Sequence, residues 1–135
     1  MCGIVGLFLK DQGLRPQLGS LLSDMLVTMS DRGPDSAGIA IYGGDGEVSS
    51  STTKITLQSN SPHADFIDLT ADVAAATGVD DSKLSLTFKD THAVLTVPVV
   101  HATKIRAALS EIRPNVRVMS VGEAIEIYKE VGLPR

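Results

Sequence analysis

The residue of this sequence best suited to covalent chemistry is Cys2, which directly follows Met1. If Met1 is removed, the α-amino group and the thiol share one residue, and their ordinary pKa values of about 8 and 8.5 lie near neutrality. The amine can accept the thiol proton and later protonate a leaving group, so one residue supplies nucleophile and base. A lone cysteine is also often just a small buried apolar residue, so Met1-Cys2-Gly3 alone leaves both interpretations open.

A second polar cluster, RGPDSAG, occupies residues 32–38. Arg32 offers a fixed positive charge, and Asp35 and Ser36 have side chains that can hold a turn by local hydrogen bonds. The glycine and proline of the cluster equally suit the plain end of a helix, in which case the segment only turns the chain. Its position relative to Cys2 decides between these interpretations.

The elements around the two clusters follow a strand–helix–strand order. Residues 3–9 (GIVGLFL) and residues 36–42 (SAGIAIY) are apolar runs that predict two buried strands. An apolar stripe between them predicts a helix over 16–31, with Pro16 in its first turn and a left-handed cap at Gly33. One wide apolar face of this helix is formed by Leu18, Leu21, Leu22, Met25, Leu26 and Met29, and we expect Met25 and Met29 to be core positions. This order would bring the RGPDSAG turn close to the N-terminus.

The rest of the chain predicts a smaller α+β unit. Residues 47–61 indicate an edge strand or an ordered loop, and residues 68–77 a short helix that ends at a glycine. Residues 83–131 predict the order strand–strand–helix–strand–helix, and Ser120 with Glu123 forms a capping box for the last helix. We expect this part to have one core of its own, formed by Leu84, Leu86, Phe88, Ile105, Leu109, Ile112, Val116, Val118, Ile125 and Tyr128.

Composition narrows the classes of function. The 135 residues carry a net charge of −4 without a Lys/Arg run, which argues against nucleic acid or an anionic membrane as partner. The single cysteine allows neither an intrachain disulfide nor a cysteine zinc site, and it fits a reducing cytoplasm. The apolar start is too short to span a bilayer.

Metal and cofactor sites are not predicted. The three histidines, His63, His92 and His101, lack the spacing of metal ligands. Asp80-Asp81 is typical of a solvated turn. The glycine-rich segment at 43–46 lacks the Lys-Ser/Thr that would follow in a phosphate-binding loop.

The MCGIVG start, the Leu/Met helix and the RGPDSAG turn, in this order and spacing, resemble the opening of class II (N-terminal-nucleophile) glutamine amidotransferase domains. The resemblance covers residues 1 to about 44. It implies an α+β fold of the N-terminal-nucleophile hydrolase type, a four-layer αββα sandwich of which this chain holds only the first strands and helix. It also implies that Cys2 is the catalytic nucleophile that attacks the side-chain amide of glutamine. The implied supporting residues are Gly3, Arg32, Gly33, Asp35 and Ser36.

The second part of the sequence has a resemblance of its own. From about residue 50 onward it is similar to an insertion in stand-alone subunits related to archaeal-type glutamate synthase and N-methylglutamate synthase. The domain division expected is 1–46 for the amidotransferase segment, 47–82 for a connecting segment and 83–135 for a small α+β insertion unit. The resemblance implies glutamine as substrate, a synthase subunit as partner and a hetero-oligomer.

Several parts that the family uses have no counterpart in these 135 residues. The family binds the glutamine α-carboxylate with an arginine of a His-Thr-Arg-type segment, whereas residues 101–104 read His-Ala-Thr-Lys. An Asn-Gly pair for the oxyanion hole and an aspartate for the α-amino group are also missing. We therefore expect another polypeptide segment to supply them. The alternative is a non-catalytic assembly or regulatory module that retains the amidotransferase scaffold.

Overall fold

The structure is a computed structural model that describes residues 3–43, 51–123 and 125–133. Its α-helices are α1 (Leu18–Thr28), α2 (Pro62–Phe66), α3 (Leu69–Thr77) and α4 (Ala102–Ile112). Its strands are β1 (Ser36–Tyr42), β2 (Thr52–Gln58), β3 (Ser85–Lys89), β4 (His92–Pro98), β5 (Arg117–Gly122) and β6 (Ile125–Val131). The chain divides into two compact units, residues 1–38 with 129–135 and residues 39–128.

The larger unit is built on an antiparallel four-stranded sheet in the order β3-β4-β2-β5. The segment that we expected to be an edge strand or loop supplies β2, the inner strand between β4 and β5, so that expectation is wrong in its placement. Four of the seven residues of β2 are β-branched (Thr52, Thr53, Ile55 and Thr56), and such residues favour a strand covered on both faces. Ile55 and Thr56, which point to opposite faces, are both fully buried.

One hydrophobic core lies between this sheet and α2, α3 and α4. Its buried members are Ile55, Leu57, Phe66, Leu69, Val73, Val79, Leu84, Ala93, Leu95, Val97, Ile105 and Leu109. The core that we expected for residues 83–131 alone is therefore shared with elements from 52–77. Phe88 of the expected core is 61% exposed, which contradicts that assignment, and Ile125 and Tyr128 are outside the cluster.

Two helices and one hairpin form where the local sequence predicted them. The helix predicted to end at a glycine is α3, and Gly78 takes the left-handed conformation (φ 73°) with its N–H bonded to the Ala74 carbonyl. The β3–β4 hairpin turns at Asp90-Thr91 as predicted, with Asp90 at φ 56°. The helix expected around Ile105 to Ile112 is α4, which buries Ile105 and Leu109, one turn apart, against the sheet.

Two predicted elements are wrong. Residues 3–10 form no strand, although Val5 and Leu7 are half-buried while Ile4 and Phe8 are 93% and 84% exposed. This segment keeps the period of a strand but lacks a hydrogen-bonded neighbour among the described residues, and a strand needs one.

The helix expected after Ser120 is the strand β6, which pairs with β1 in a two-stranded sheet. Ser120 does not cap a helix: it lies within β5 and its hydroxyl donates to Thr56 Oγ1 at 3.0 Å. The β-branched residues of β6 and the available partner strand outweigh a capping signal of two residues. β1 itself is a strand as predicted, but its residues alternate between half-buried and exposed, so it is not a buried one.

The first residues of β6, up to Tyr128, belong to the larger unit and take part in a polar cluster within it. Lys54 Nζ lies 2.7 Å from Glu126 Oε1, and the Tyr128 hydroxyl donates to Glu126 Oε2 at 2.5 Å. The Tyr128 ring packs edge-on against the buried His92 at 5.2 Å between centroids. Partial burial of the Glu126 carboxyl raises its pKa, but the hydrogen bonds from Lys54 and Tyr128 outweigh that effect and hold the pKa below its usual value.

This cluster predicts an acid-sensitive contribution to stability. Because the pKa of Glu126 is lower in the folded chain than its usual 4.5, the contribution is present above about that pH and is lost as the pH falls through the folded-state value. We expect Glu126→Gln to flatten the fall of the urea unfolding midpoint below pH 4.5. The exposed Glu111 on α4 provides the control, and an equal flattening in Glu111→Gln would contradict the assignment.

Candidate active site

The RGPDSAG cluster directly follows the end of α1. The Met29 N–H bonds to the carbonyls of Met25 and Leu26 and completes the helix. The chain then tightens into a 3₁₀ turn at Ser30–Arg32, in which the Arg32 N–H donates to the Met29 carbonyl at 3.0 Å. The helix is thus shorter than the predicted 16–31, and Pro16 lies inside a preceding 3₁₀ helix at Gln12–Gln17.

Gly33 ends the turn differently from the predicted left-handed cap. Its φ is −163°, which is extended backbone, and its N–H donates to the Ser30 carbonyl at 3.2 Å. The 3₁₀ turn satisfies this backbone group, so a left-handed residue is not required. The chain can therefore leave Gly33 in an extended path through Pro34 and enter β1 at Ser36.

The three polar residues of the cluster, Arg32, Asp35 and Ser36, are exposed. The Asp35 carbonyl accepts a hydrogen bond from the Gly132 N–H at 2.9 Å, which fixes the backbone just before β1. The hydrogen bonds at Arg32, Gly33 and Asp35 that hold this turn all join backbone groups. The guanidinium, carboxylate and hydroxyl groups are therefore carried on a fixed backbone and presented at the surface.

Gly3 packs directly against the end of α1. A methyl group built on its α-carbon would lie 2.6 Å from Met29 Cε, 3.3 Å from Arg32 Cβ and 3.6 Å from Arg32 Cδ. The first distance is inside contact distance, so an alanine at this position would require the flexible end of the Met29 side chain to move. The structure thus brings Gly3, the residue after Cys2, against Arg32, the first residue of RGPDSAG, although residues 3–10 do not form the predicted strand.

These residues line one groove of about 270 Å³. Its lining consists of Gly3, Leu26, Met29, Ser30, Gly33, Pro34, Asp35, Ser36, Ala37 and Gly38. Four of the five supporting residues predicted from the sequence are in this set, and the fifth, Arg32, contacts Gly3 from beside it. Cys2 itself lies outside the described residues.

The groove combines apolar and polar walls in a way that suits a small amphiphilic ligand. Leu26, Met29 and Ala37 offer aliphatic surface, and Asp35 and Ser36 offer an acceptor and a hydroxyl. The positively charged Arg32 lies next to Gly3, one of the lining residues. Such a groove can hold a short side chain with a polar end beside Gly3.

The environment of Met29 differs from the one predicted from the sequence. We expected Met25 and Met29 to be core positions, but both are only half-buried and neither joins the core cluster. Met29 lines the groove instead. The available signal was its position as the last apolar residue of the stripe, four residues before Gly33.

In the described part of the chain, no group of three or more His, Cys, Asp or Glu side chains is placed to hold a metal ion. The three histidines lie on separate elements: His63 in α2, His92 in β4 and His101 in the 3₁₀ turn just before α4. None of the helices formed by described residues is long and apolar enough to cross a membrane.

The chain is similar over its whole length to proteins named as glutamine amidotransferases. The glutamine amidotransferase-like protein GlxB of Rhizobium meliloti (strain 1021) is 56% identical over 135 residues, which are 100% of this chain and 42% of that protein. A protein of Methanothermobacter thermautotrophicus with a provisional glutamine amidotransferase name is 29% identical over 143 residues, which cover 98% of this chain and 44% of that protein.

The chain thus spans less than half the length of the curated relatives it matches. No protein-family model matches it. No solved structure matches it at a significant level.

Proposed function

We propose that this chain is the nucleophile-bearing part of a class II glutamine amidotransferase and that it releases ammonia from glutamine for a synthase partner. The observation that carries the proposal is the contact of Gly3 with Met29 and Arg32, since it joins the two sequence motifs at one groove. The names of two relatives that match nearly the whole chain support the same activity.

The reaction starts from Cys2 with a free α-amino group. The amine accepts the thiol proton while the sulfur forms a bond to the side-chain amide carbon of glutamine. Collapse of the tetrahedral intermediate breaks the carbon–nitrogen bond, and the amine returns the proton to the leaving ammonia. Water then attacks the glutamyl thioester, which yields glutamate and restores the thiol.

The described residues supply the surroundings of this chemistry. The aliphatic wall of Leu26, Met29 and Ala37 suits the two methylene groups of glutamine. We propose that Arg32 adds positive charge near the developing oxyanion and that Asp35 and Ser36 bind polar ends of the substrate. These assignments extend the supporting roles that the family resemblance implies.

We further propose that the complete fold is the four-layer αββα sandwich and that another polypeptide segment completes it. The extended residues 3–10 lack a hydrogen-bonded neighbour among the described residues, and β1 lies in a sheet of two strands, so both are suited to accept further strands. The relatives are more than twice as long as this chain, which leaves room for such a segment in one polypeptide. That segment would bring the carboxylate-binding arginine and the oxyanion donors.

Covalent labelling tests the activity. A diazoketone analogue of glutamine should modify Cys2 in the complete protein, and excess L-glutamine should slow the modification. Peptide mapping by mass spectrometry locates the label, because Cys2 is the one cysteine of residues 1–135. D-Glutamine is the control. If neither L-glutamine nor D-glutamine slows the labelling, the result would argue against a glutamine site.

Removal of Met1 separates this proposal from the non-catalytic alternative. We expect the active protein to have lost Met1, because the mechanism needs a free amine beside the thiol and the small side chain of Cys2 permits excision. Mass spectrometry of the intact chain reads this directly. Retention or acetylation of the N-terminus in a preparation that hydrolyses glutamine would refute the use of the α-amine as base.

A further inference from the structure

The sheet of the larger unit has an open edge at β3 (Ser85–Lys89). β3 is the terminal strand in the order β3-β4-β2-β5, and among the described residues it pairs with β4 alone. Leu86 is half-buried, and the other four side chains of the strand are exposed. An open edge presents backbone N–H and C=O groups that can pair with another strand.

Two hydrogen bonds at the ends of the β2–β4 ladder show which backbone groups of β4 face β3. The Ser59 N–H donates to the Thr91 carbonyl, and the Val99 N–H donates to the Ser51 carbonyl, both at 2.9 Å. In an antiparallel pair, every second residue exchanges hydrogen bonds with the opposite strand. The odd-numbered residues of β4 therefore bond to β2, and its even-numbered residues bond to β3.

The register of the β3–β4 hairpin extends this assignment to β3. Ser85, Thr87 and Lys89 lie opposite even-numbered residues of β4, so their backbone N–H and C=O groups are used inside the sheet. Leu86 and Phe88 direct theirs to the open edge. The same two residues share one face of the sheet, and the Phe88 side chain is 61% exposed. The edge thus offers outward-facing backbone groups and apolar side chains at the same positions.

One antiparallel register makes this edge complementary to itself. If Thr87 faces Thr87 of a second copy across a two-fold axis, Leu86 of each copy lies opposite Phe88 of the other. Both residues of each such pair direct their backbone groups outward, so they can exchange hydrogen bonds. Residues that are directly opposite have Cβ atoms roughly 4.5–5.5 Å apart. Each exposed phenylalanine ring would therefore be covered by a leucine.

Charge favours this register over its neighbours. Lys89 is the one charged residue of β3, and in this register it lies opposite the uncharged Ser85 of the second copy. A register centred on Leu86 would set Lys83 against Lys89, and like charges directly opposite each other destabilise a sheet. A register centred on Phe88 would set part of the strand against the hairpin turn.

We propose that β3 is a dimer contact, at which a second copy of this chain adds its own β3 in the register centred on Thr87 and joins the two four-stranded sheets. None of the β3 residues lines the groove of the candidate active site, so the contact is independent of the amidotransferase chemistry. Each copy covers the β3 edge of the other, and the assembly closes with two-fold symmetry.

Charge substitution at the two-fold axis tests the contact in the complete protein. Sedimentation velocity should show a dimer for the unmodified protein. Thr87→Lys and Thr87→Glu should each be monomeric at the same concentration, because each sets two like charges directly opposite one another. An equimolar mixture of the two variants should dimerise again, since a lysine then faces a glutamate. Ala107→Lys, at an exposed position of α4, adds the same charge elsewhere and should stay dimeric.

Thr87 is exposed, so both variants should fold like the unmodified protein, which circular dichroism checks. Phe88→Ala is a second variant that adds no charge. It should weaken the dimer, although it costs the dissociated chain little because the ring is mostly exposed there. A complete protein that is monomeric, a dimer that persists in Thr87→Lys, or a mixture of the two charged variants that stays monomeric would overturn the contact.

Amide hydrogen exchange distinguishes a second copy from other occupants of the edge. The Leu86 and Phe88 amides should be protected in the dimer and should become exchangeable on dilution and in Thr87→Lys. Protection that does not depend on concentration would assign the edge to another segment of the same polypeptide. Protection that arises only with a synthase subunit would assign it to that partner, and either result would refute the dimer.

Discussion

Replacement of Cys2 by alanine is expected to abolish glutamine hydrolysis by the complete protein. In the proposed mechanism the thiol forms the only covalent bond to the substrate, and removing a catalytic nucleophile costs on the order of 10⁶-fold in kcat. Ammonia release from glutamine in a coupled assay measures the loss. Circular dichroism and thermal unfolding should match those of the unmodified protein, since the change removes one sulfur atom.

Cys2→Ser is the matched variant, because it keeps the shape of the side chain and the adjacent α-amine. It should also lose most activity, since a hydroxyl is far less ionised than a thiol near neutral pH. Glutamine hydrolysis at the full rate in Cys2→Ala would end the amidotransferase proposal. Partial activity in Cys2→Ser with none in Cys2→Ala would indicate that the surrounding groove activates either nucleophile.

The second large effect is expected in the core of the larger unit. Phe66 is 1% exposed and belongs to the cluster between the sheet and the helices. Phe66→Ala removes a whole ring from close-packed surroundings and should lower the free energy of unfolding by about 3–5 kcal/mol. Urea unfolding followed by circular dichroism gives the difference in free energy.

Phe88 is the matched control because it is the same residue type in the same unit. Its ring is 61% exposed and meets Phe66 at a centroid distance of 6.3 Å. Phe88→Ala should therefore cost at most about 1.5 kcal/mol, the upper range for one aromatic pair. Equal losses for Phe66→Ala and Phe88→Ala would contradict the arrangement of the core.

These two phenylalanines illustrate what patterns do and do not determine. The alternation at residues 84–88 predicted β3 and its inward face correctly, and Leu84 and Leu86 are buried and half-buried. Phe88 shares the face but lies near the end of an edge strand, where cover ends. The alternation of side chains along a strand assigns a residue to one face of the sheet. Whether that residue is buried depends on how far the helices packed on that face extend.

Elements with strong local signals were predictable. The helix α3 ends at a glycine, α4 has an apolar stripe, and the β3–β4 hairpin has Asp at its turn. Such signals act within a few residues, so they hold whatever surrounds them. Elements that depend on partners were not predictable: residues 3–10 lack the neighbour that would make them a strand, and β6 exists because β1 pairs with it.

The sequence by itself determined the residues of the candidate site: Cys2 with its adjacent amine after Met1, and the RGPDSAG turn at the end of the first helix. Residue type and covalent adjacency suffice for that, because the reactivity of a thiol beside an amine is a local property. Only the tertiary structure decided that Met29 leaves the expected core and packs on Gly3. That contact joins residues far apart in sequence, and the 3₁₀ turn after α1, with its extended exit at Gly33, sets the direction of the chain there.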